Sequence, residues 1–362
     1  MPSLSAAPGW LGAAVTAQAP DAVQDLAWHP SEPRCALGLV GGEWLEWGPE
    51  GLVGEVRPAH AEGLLALAWS PLGDRLATAG QDGWVRLWGR DARPLAGLEQ
   101  GEAWVSSLAW APDGAWLAVA SGRHLEVWDL RGESPRRQGR LGPHASTITA
   151  VAWLPKEAGI AVAAYGGVTV WPSPNASPSL WARLRGAEDL QPRHLSFKGS
   201  LLALAVSPDG RFYATGNQDG TVHLWYAASG ADLEMTGYPT KVRELAWDPR
   251  SRFIATGGAS SVTLWDMRGR GPAGSRPLVL DAHADFVTAI DCQPAGDLLA
   301  SAARDGEVML WRPMRGPDLR GRELQAAVTL GEPAAALRWR PDGRSLLAAG
   351  RGGRLLSFAV TR

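Results

Sequence analysis

Histidine, a hydroxyl residue and aspartate recur together at fixed spacing along this chain of 362 residues. His60, Thr78 and Asp82 are followed by Trp88, and His283, Ser301 and Asp305 by Trp311, with intervals of 18, 4 and 6 residues in both cases. An imidazole, a hydroxyl and a carboxylate are the parts of a nucleophilic hydrolase. Such a site occurs once in an enzyme. Here the set occurs twice, and a third set, Thr215, Asp219 and Trp225, is incomplete for want of the histidine. Repetition points to a structural unit rather than to catalysis. Other chemistries find little footing. The seven histidines and two cysteines show no zinc-ligand spacing, and no phosphate-binding glycine loop is present. A calcium site needs several converging oxygens, and asparagine occurs only at positions 175 and 217. No cofactor and no metal are expected.

A longer period shows which elements must position these residues. An apolar residue, a small one, a large apolar one, any residue and then proline appear at Leu26–Pro30, Leu67–Pro71, Leu108–Pro112 and Val151–Pro155. The pattern returns at Leu204–Pro208, Leu245–Pro249, Ile290–Pro294 and Leu337–Pro341, making eight copies with prolines 41 to 53 residues apart. Sixteen or seventeen residues after each proline stands an aromatic residue: Trp47, Trp88, Trp128, Trp171, Trp225, Trp265, Trp311 and Phe358. In the second copy, Leu64–Ser70 reads as a strand, Pro71–Asp74 as a turn and Arg75–Gly80 as a second strand. Asp82-Gly83 supplies the positive φ of a hairpin turn, Trp84–Trp88 reads as a third strand, and the segment before His60 as a weaker fourth. Four short antiparallel strands in each period of about 43 residues make a propeller blade.

Leu87-Trp88, Val127-Trp128-Asp129 and Leu264-Trp265-Asp266 close third strands, and Leu204–Gly210 forms a first strand with its turn. On these residues the chain resembles WD40-repeat proteins over nearly its whole length, and bacterial stand-alone members in particular. The resemblance implies an all-β fold: one closed propeller over residues 1–362, with eight four-stranded blades, or seven with one displaced copy. The eighth copy ends straight after its third strand, so an N-terminal strand at about residues 9–18, with Trp10 and Val15, is expected to complete the last blade. Thirteen of the 19 tryptophans occupy the two anchor positions, which makes them wedges between blades. Each is worth about 4–6 kcal/mol of burial as an upper bound. In WD40 blades a His before the first strand, a Ser or Thr in the second, an Asp in the turn and the third-strand Trp form a polar set. The residues of the opening paragraph fit it, which implies buried hydrogen bonds worth about 1 kcal/mol each.

The formal net charge is −2, so no global field favours nucleic acid or an anionic membrane. Charge is uneven: residues 1–110 hold 13 acidic and 6 basic side chains, residues 312–362 hold 4 and 10. No Lys or Arg precedes Arg34, so a secretory leader is not expected. No apolar run reaches membrane-spanning length. Cys35 and Cys292 are too few for a disulfide framework and are expected to be buried in a protein of the reducing cytoplasm. Arginine outnumbers lysine 32 to 3, a bias of GC-rich, bacterial coding.

Residues eight before each proline read Ala22, Gly63, Trp104, Thr147, Ser200, Lys241, Phe286 and Pro333. The resemblance puts this position near the rim of the face where WD40 partners dock. Trp104, Lys241 and Phe286, with Arg243 two residues further on, are the expected contacts, since aromatic residues and arginine favour binding. Three before the proline, six copies have Ala, whereas the last two have Asp291 and Arg338, for which a salt bridge near the channel wall is expected. The 172–200 interval, which contains the acceptor-like Asn175-Ala176-Ser177, is a connection or an interaction loop. The function expected from the resemblance is a scaffold that binds a protein or peptide on one face, with a metal-chaperone GTPase as one candidate partner. The alternative is a metal-dependent, lactonase-like hydrolase with its site in the channel.

Overall fold

The structure is a computed structural model that describes residues 4–6, 11–101, 103–132, 134–155, 159–174, 191–315 and 318–361. Every Pro-anchored copy begins the innermost strand of a four-stranded antiparallel sheet, and eight such sheets form an eight-bladed propeller. The second blade runs Leu64–Trp69, Arg75–Gly80, Trp84–Gly89 and Pro94–Glu99 from the channel outwards. The seventh runs Val287–Cys292, Leu299–Ala303, Glu307–Trp311 and Leu324–Thr329. The Asp82-Gly83 hairpin forms as the sequence demands: Gly83 has φ +74°, and a Cβ there would collide with the Gly101 carbonyl oxygen.

Closure uses the N-terminal segment twice. Leu11–Gln18 pairs antiparallel with Arg354–Val360 and so becomes the outer strand of the eighth blade. Leu4–Ala6 adds a fifth strand to the seventh blade, beside Leu324–Thr329. One segment therefore spans two blades and covers the edge of each. Trp10, the Asn175-Ala176-Ser177 motif and residues 175–190 of the long interval lie outside the described residues.

The first-strand tryptophans do more than fill space. Trp28, Trp110, Trp153 and Trp339 each donate the indole N–H to a backbone carbonyl of the preceding blade, at Arg338, Ala68, Ala109 and Asp291, over 2.9–3.2 Å. The acceptor always belongs to the residue three before the proline of that blade, so the tie keeps the repeat's register around the ring. The Trp28 bond joins the first blade to the eighth. Between blades Trp44, Trp47, Trp225, Trp311 and Phe358 are fully buried.

The six inner strands of the first, second, third, fifth, seventh and eighth blades share a bulge at one position, after Val23, Leu64, Val105, Leu201, Val287 and Ala334. A bulge inserts one residue and re-aims its side chain. Three of these extra residues, Gln24, Thr288 and Ala335, face the recess described below.

Candidate functional site

The two complete polar sets run through the interior. In the second blade Trp88 Nε1 donates to Thr78 Oγ1 at 3.1 Å, Thr78 Oγ1 to His60 Nε2 at 3.0 Å, and His60 Nδ1 to Asp82 Oδ1 at 2.9 Å. In the seventh, Trp311 Nε1 to Ser301 Oγ, Ser301 Oγ to His283 Nε2, and His283 Nδ1 to Asp305 Oδ2 measure 2.9, 2.8 and 3.1 Å. Proton direction follows from the two ends: the indole can only donate and the ionised carboxylate only accept, so a neutral imidazole carries its proton on Nδ1 and accepts at Nε2. Thr78 and Ser301 are fully buried, and no substrate can reach either hydroxyl. Burial holds both imidazoles below the ordinary histidine pKa, so they are neutral links rather than charged ones.

The third set does not assemble. Phe197 occupies the position where the other two sets have histidine, and it packs on His223 and Trp225 with ring centroids 4.5 and 6.5 Å away. Thr215 Oγ1 is left buried without a hydrogen-bond partner, and Asp219 accepts from Thr221 instead. An apolar ring cannot accept the hydroxyl proton. Two further blades carry versions that a search for His, hydroxyl and Asp overlooks. Tyr238 OH accepts from Trp265 Nε1 at 2.8 Å and bonds Thr256 Oγ1 at 2.7 Å, while Trp171 Nε1 donates directly to His144 Nε2 at 3.3 Å. Tyr238 and His144 both lie 11 residues before the blade's proline, the place of His60 and His283.

Asp291 and Arg338 do not form the expected contact pair. Asp291 Oδ2 accepts the Trp339 backbone N–H at 2.7 Å, and Arg338 Nη1 donates to its own neighbour, the Leu337 carbonyl, at 2.9 Å. The missing element was Asp25, on the first blade, which accepts from the Leu26 and Leu67 N–H groups at 2.9 and 3.3 Å. Arg338 thus shares its field between two carboxylates rather than binding one. Burial pushes Asp291 up to about 6 and raises Asp25 as well, and the Arg338 charge offsets part of both shifts.

At one mouth of the channel lies a recess of about 830 Å³. Lys241, Arg243 and Phe286, three of the four expected contacts, line it. Arg304 and Arg351 join them, and the Arg304 guanidinium sits 5.4 Å from the Phe286 ring centroid. Phe286 is 40% exposed and Val40, from the first blade, 48%. Glu244 is the acid of the lining; burial raises its pKa, against the pull of Arg243 and Arg304. Trp104 stands on the third blade, 57% exposed, and is not part of the recess. Arg304, Arg351 and Val40 were missed because they sit at hairpin tips, ten residues after the proline, a column the sequence reading did not align. Among the described residues no group of three or more His, Cys, Asp or Glu is placed to hold a metal ion, and no helix is long and apolar enough to cross a membrane.

The period, the blades and their ring define a WD-repeat propeller. The family model "WD domain, G-beta repeat" matches residues 53–89, 93–129, 192–226, 233–266 and 274–312, and the chain belongs to that family. The three inner strands of the first, fourth and eighth blades lie outside these matches, and their second strands carry Leu37, Val162 and Ala348 where four of the five matched blades place Thr78, Thr215, Thr256 and Ser301; the matched third blade has Val119 there. The chain is similar to "Protein HIR1" of Mycosarcoma maydis, at 29% identity over 42% of this chain and 16% of that protein. It is similar to "Telomerase protein component 1" of Mus musculus, at 27% over 77% of this chain and 10% of that protein. It also resembles "Cell division cycle 20.1, cofactor of APC complex" of Arabidopsis thaliana, at 29% over 43% of this chain and 34% of that protein. The matched regions thus span a tenth to a third of these relatives. Among solved structures, the computationally designed Ika8 protein superposes with a TM-score of 0.75 at 18% identity, covering 97% of this chain and all of that one. That likeness concerns the fold alone.

Proposed function

We propose that this protein is a non-catalytic docking platform that binds a protein or peptide over the face carrying the 830 Å³ recess. One observation carries the reading. The sets that resemble a nucleophilic site, His60 with Thr78 and His283 with Ser301, are buried and engaged, whereas Phe286 stands exposed with cationic side chains at the channel mouth. Exposed aromatic residues and arginine in a concave setting are what interfaces use as anchors. One relative is by its printed name a cofactor of a complex, which supports a role in assembly. Two buried, unpaired cysteines fit a reducing, cytoplasmic setting.

Tagged protein and a folded variant with Trp104, Lys241, Arg243 and Phe286 changed to Ala serve as paired baits in a lysate of the source organism. A partner retained by the native protein and lost by the variant is the expected result, and its sequence will show whether it is a metal-chaperone GTPase. Equal retention by both baits contradicts docking on this face.

A further inference from the structure

The recess has a charge pattern that the docking reading, on which this inference rests, does not require. Lys241 and Arg243 from the sixth blade, Arg304 from the seventh and Arg351 from the eighth converge on it, and all four are exposed. Among the described residues, no carboxylate oxygen lies within 4 Å of the charged nitrogens of these four side chains. Four acids beside the recess are turned onto backbone N–H groups. Asp21 accepts from Ala22 and Gly41 at 2.7 and 2.9 Å, and Asp285 from Phe286 at 2.6 Å. Glu332 accepts from Gly352 and Arg354, both at 2.9 Å, and Glu244 from Arg243 at 3.3 Å. Hydrogen bonding within the loops therefore occupies these carboxylates and leaves the four cations without an ion pair among the described residues.

The opposite face is built the other way. Arg34 and Arg90 pair with Glu32, Arg211 with Asp209, Arg252 with Asp248 and Asp297, and Arg340 with Asp342. A protein with a net charge of −2 that gathers four exposed cations around one cavity, none of them in an ion pair among the described residues, has built a local anion-attracting field there. The cavity's size, about 830 Å³, is that of a ligand pocket and admits a short extended segment. The cations ring a concavity and form no stripe of the kind that tracks a nucleic-acid backbone.

We propose that the recess receives an acidic segment of a protein partner, its carboxylates meeting Lys241, Arg243, Arg304 and Arg351 while Phe286 and Val40 take an adjacent apolar side chain. Dye-labelled octaglutamate, octalysine and a neutral Gly/Ser octamer are titrated against the full chain by fluorescence anisotropy, with a single-stranded 20-mer DNA in parallel. Octaglutamate is expected to bind, and the other two peptides not. Binding should weaken at least tenfold in the Lys241→Ala, Arg304→Gln, Arg351→Gln variant and fall steeply with salt. An Arg90→Gln, Arg211→Gln variant of the opposite face should bind as the native protein does. Three results overturn the proposal: no preference for octaglutamate, equal loss in both variants, or tighter binding of the DNA. Failure here is separable from failure of the docking reading. A partner that the triple variant still captures, but a Phe286→Ala variant loses, leaves the docking face standing without its acidic ligand.

Discussion

The two faces of this propeller use arginine in opposite ways. On the face of the first-to-second-strand turns, Arg252 is 17% exposed and lies between Asp248, itself 2% exposed, and Asp297, at 2.7 and 2.8 Å. Those hydrogen bonds raise its pKa and fix its charge. On the recess face, Arg304 and Arg351 are exposed with no ion pair among the described residues, although Asp285 and Glu332 adjoin Phe286 and Pro333, whose carbonyls accept the Arg304 and Arg351 N–H groups. On the proposed docking, stability and binding fall to different arginines of one chain. An ion pair that satisfies a buried carboxylate belongs to the fold, whereas a solvated, unpaired cation contributes almost nothing to the fold and is free for a partner.

The sharpest way to break this comparison is to remove Arg252. Arg252→Ala strands the buried Asp248 carboxylate and should cost about 3 kcal/mol in urea unfolding, with affinity for a docked partner unchanged in the surviving folded fraction. A smaller effect separates the channel from both faces. Burial raises the Asp291 pKa from the ordinary carboxylate range to about 6 in the folded protein, so the folded state binds its proton more tightly than the unfolded chain does. Stability from this group falls as pH rises from about 4 to about 6 and is flat above. Asp291→Asn should then stabilise by roughly 1–2 kcal/mol at pH 7.5 and by nothing at pH 4. Equal gains at both pH values would mean that the carboxylate is not destabilised by its surroundings.

Within the blades, Thr78 and Thr215 sit at equivalent positions with opposite surroundings. Thr78 has two hydrogen-bond partners in His60 and Trp88, and Thr215 Oγ1 has none. Thr78→Val should cost about 1–2 kcal/mol, and Thr215→Val should stabilise by up to about 1 kcal/mol, because a buried hydroxyl without a partner is a net penalty. Arg351→Ala and Lys241→Ala should change thermal stability least, within about 0.5 kcal/mol, while weakening the docking of an acidic segment.

The blades were legible in the sequence because each depends on a local signal: a proline turn, an aromatic residue at fixed distance, and Asp-Gly where a positive φ is needed. The ring followed from the eight copies and the missing last strand. What escaped depends on neighbours across blades. Leu4–Ala6 is too short to show any period, and it becomes a strand only because the seventh blade offers an edge. Asp25 is one acid in an apolar strand until the ring closes and brings Arg338 beside it. Tyr238 replaces the histidine of the polar set with a different donor and acceptor of similar reach, so a pattern of residue types misses what a pattern of positions finds. Half of the recess was legible in the column eight residues before each proline. The other half, Arg304 and Arg351, lies in a second column at the hairpin tips, and the two columns meet only in three dimensions.

The most direct test of the account is amide hydrogen exchange of the full chain with and without the partner that it captures. The account predicts protection of the loops around 19–22, 40–42, 238–244 and 284–288 and of the hairpin tips at 304 and 351. The turns at 71–74 and 89–93 on the other face should exchange unchanged. Protection confined to those turns, or to the outer strands, would contradict the claim that the recess face is where this propeller binds.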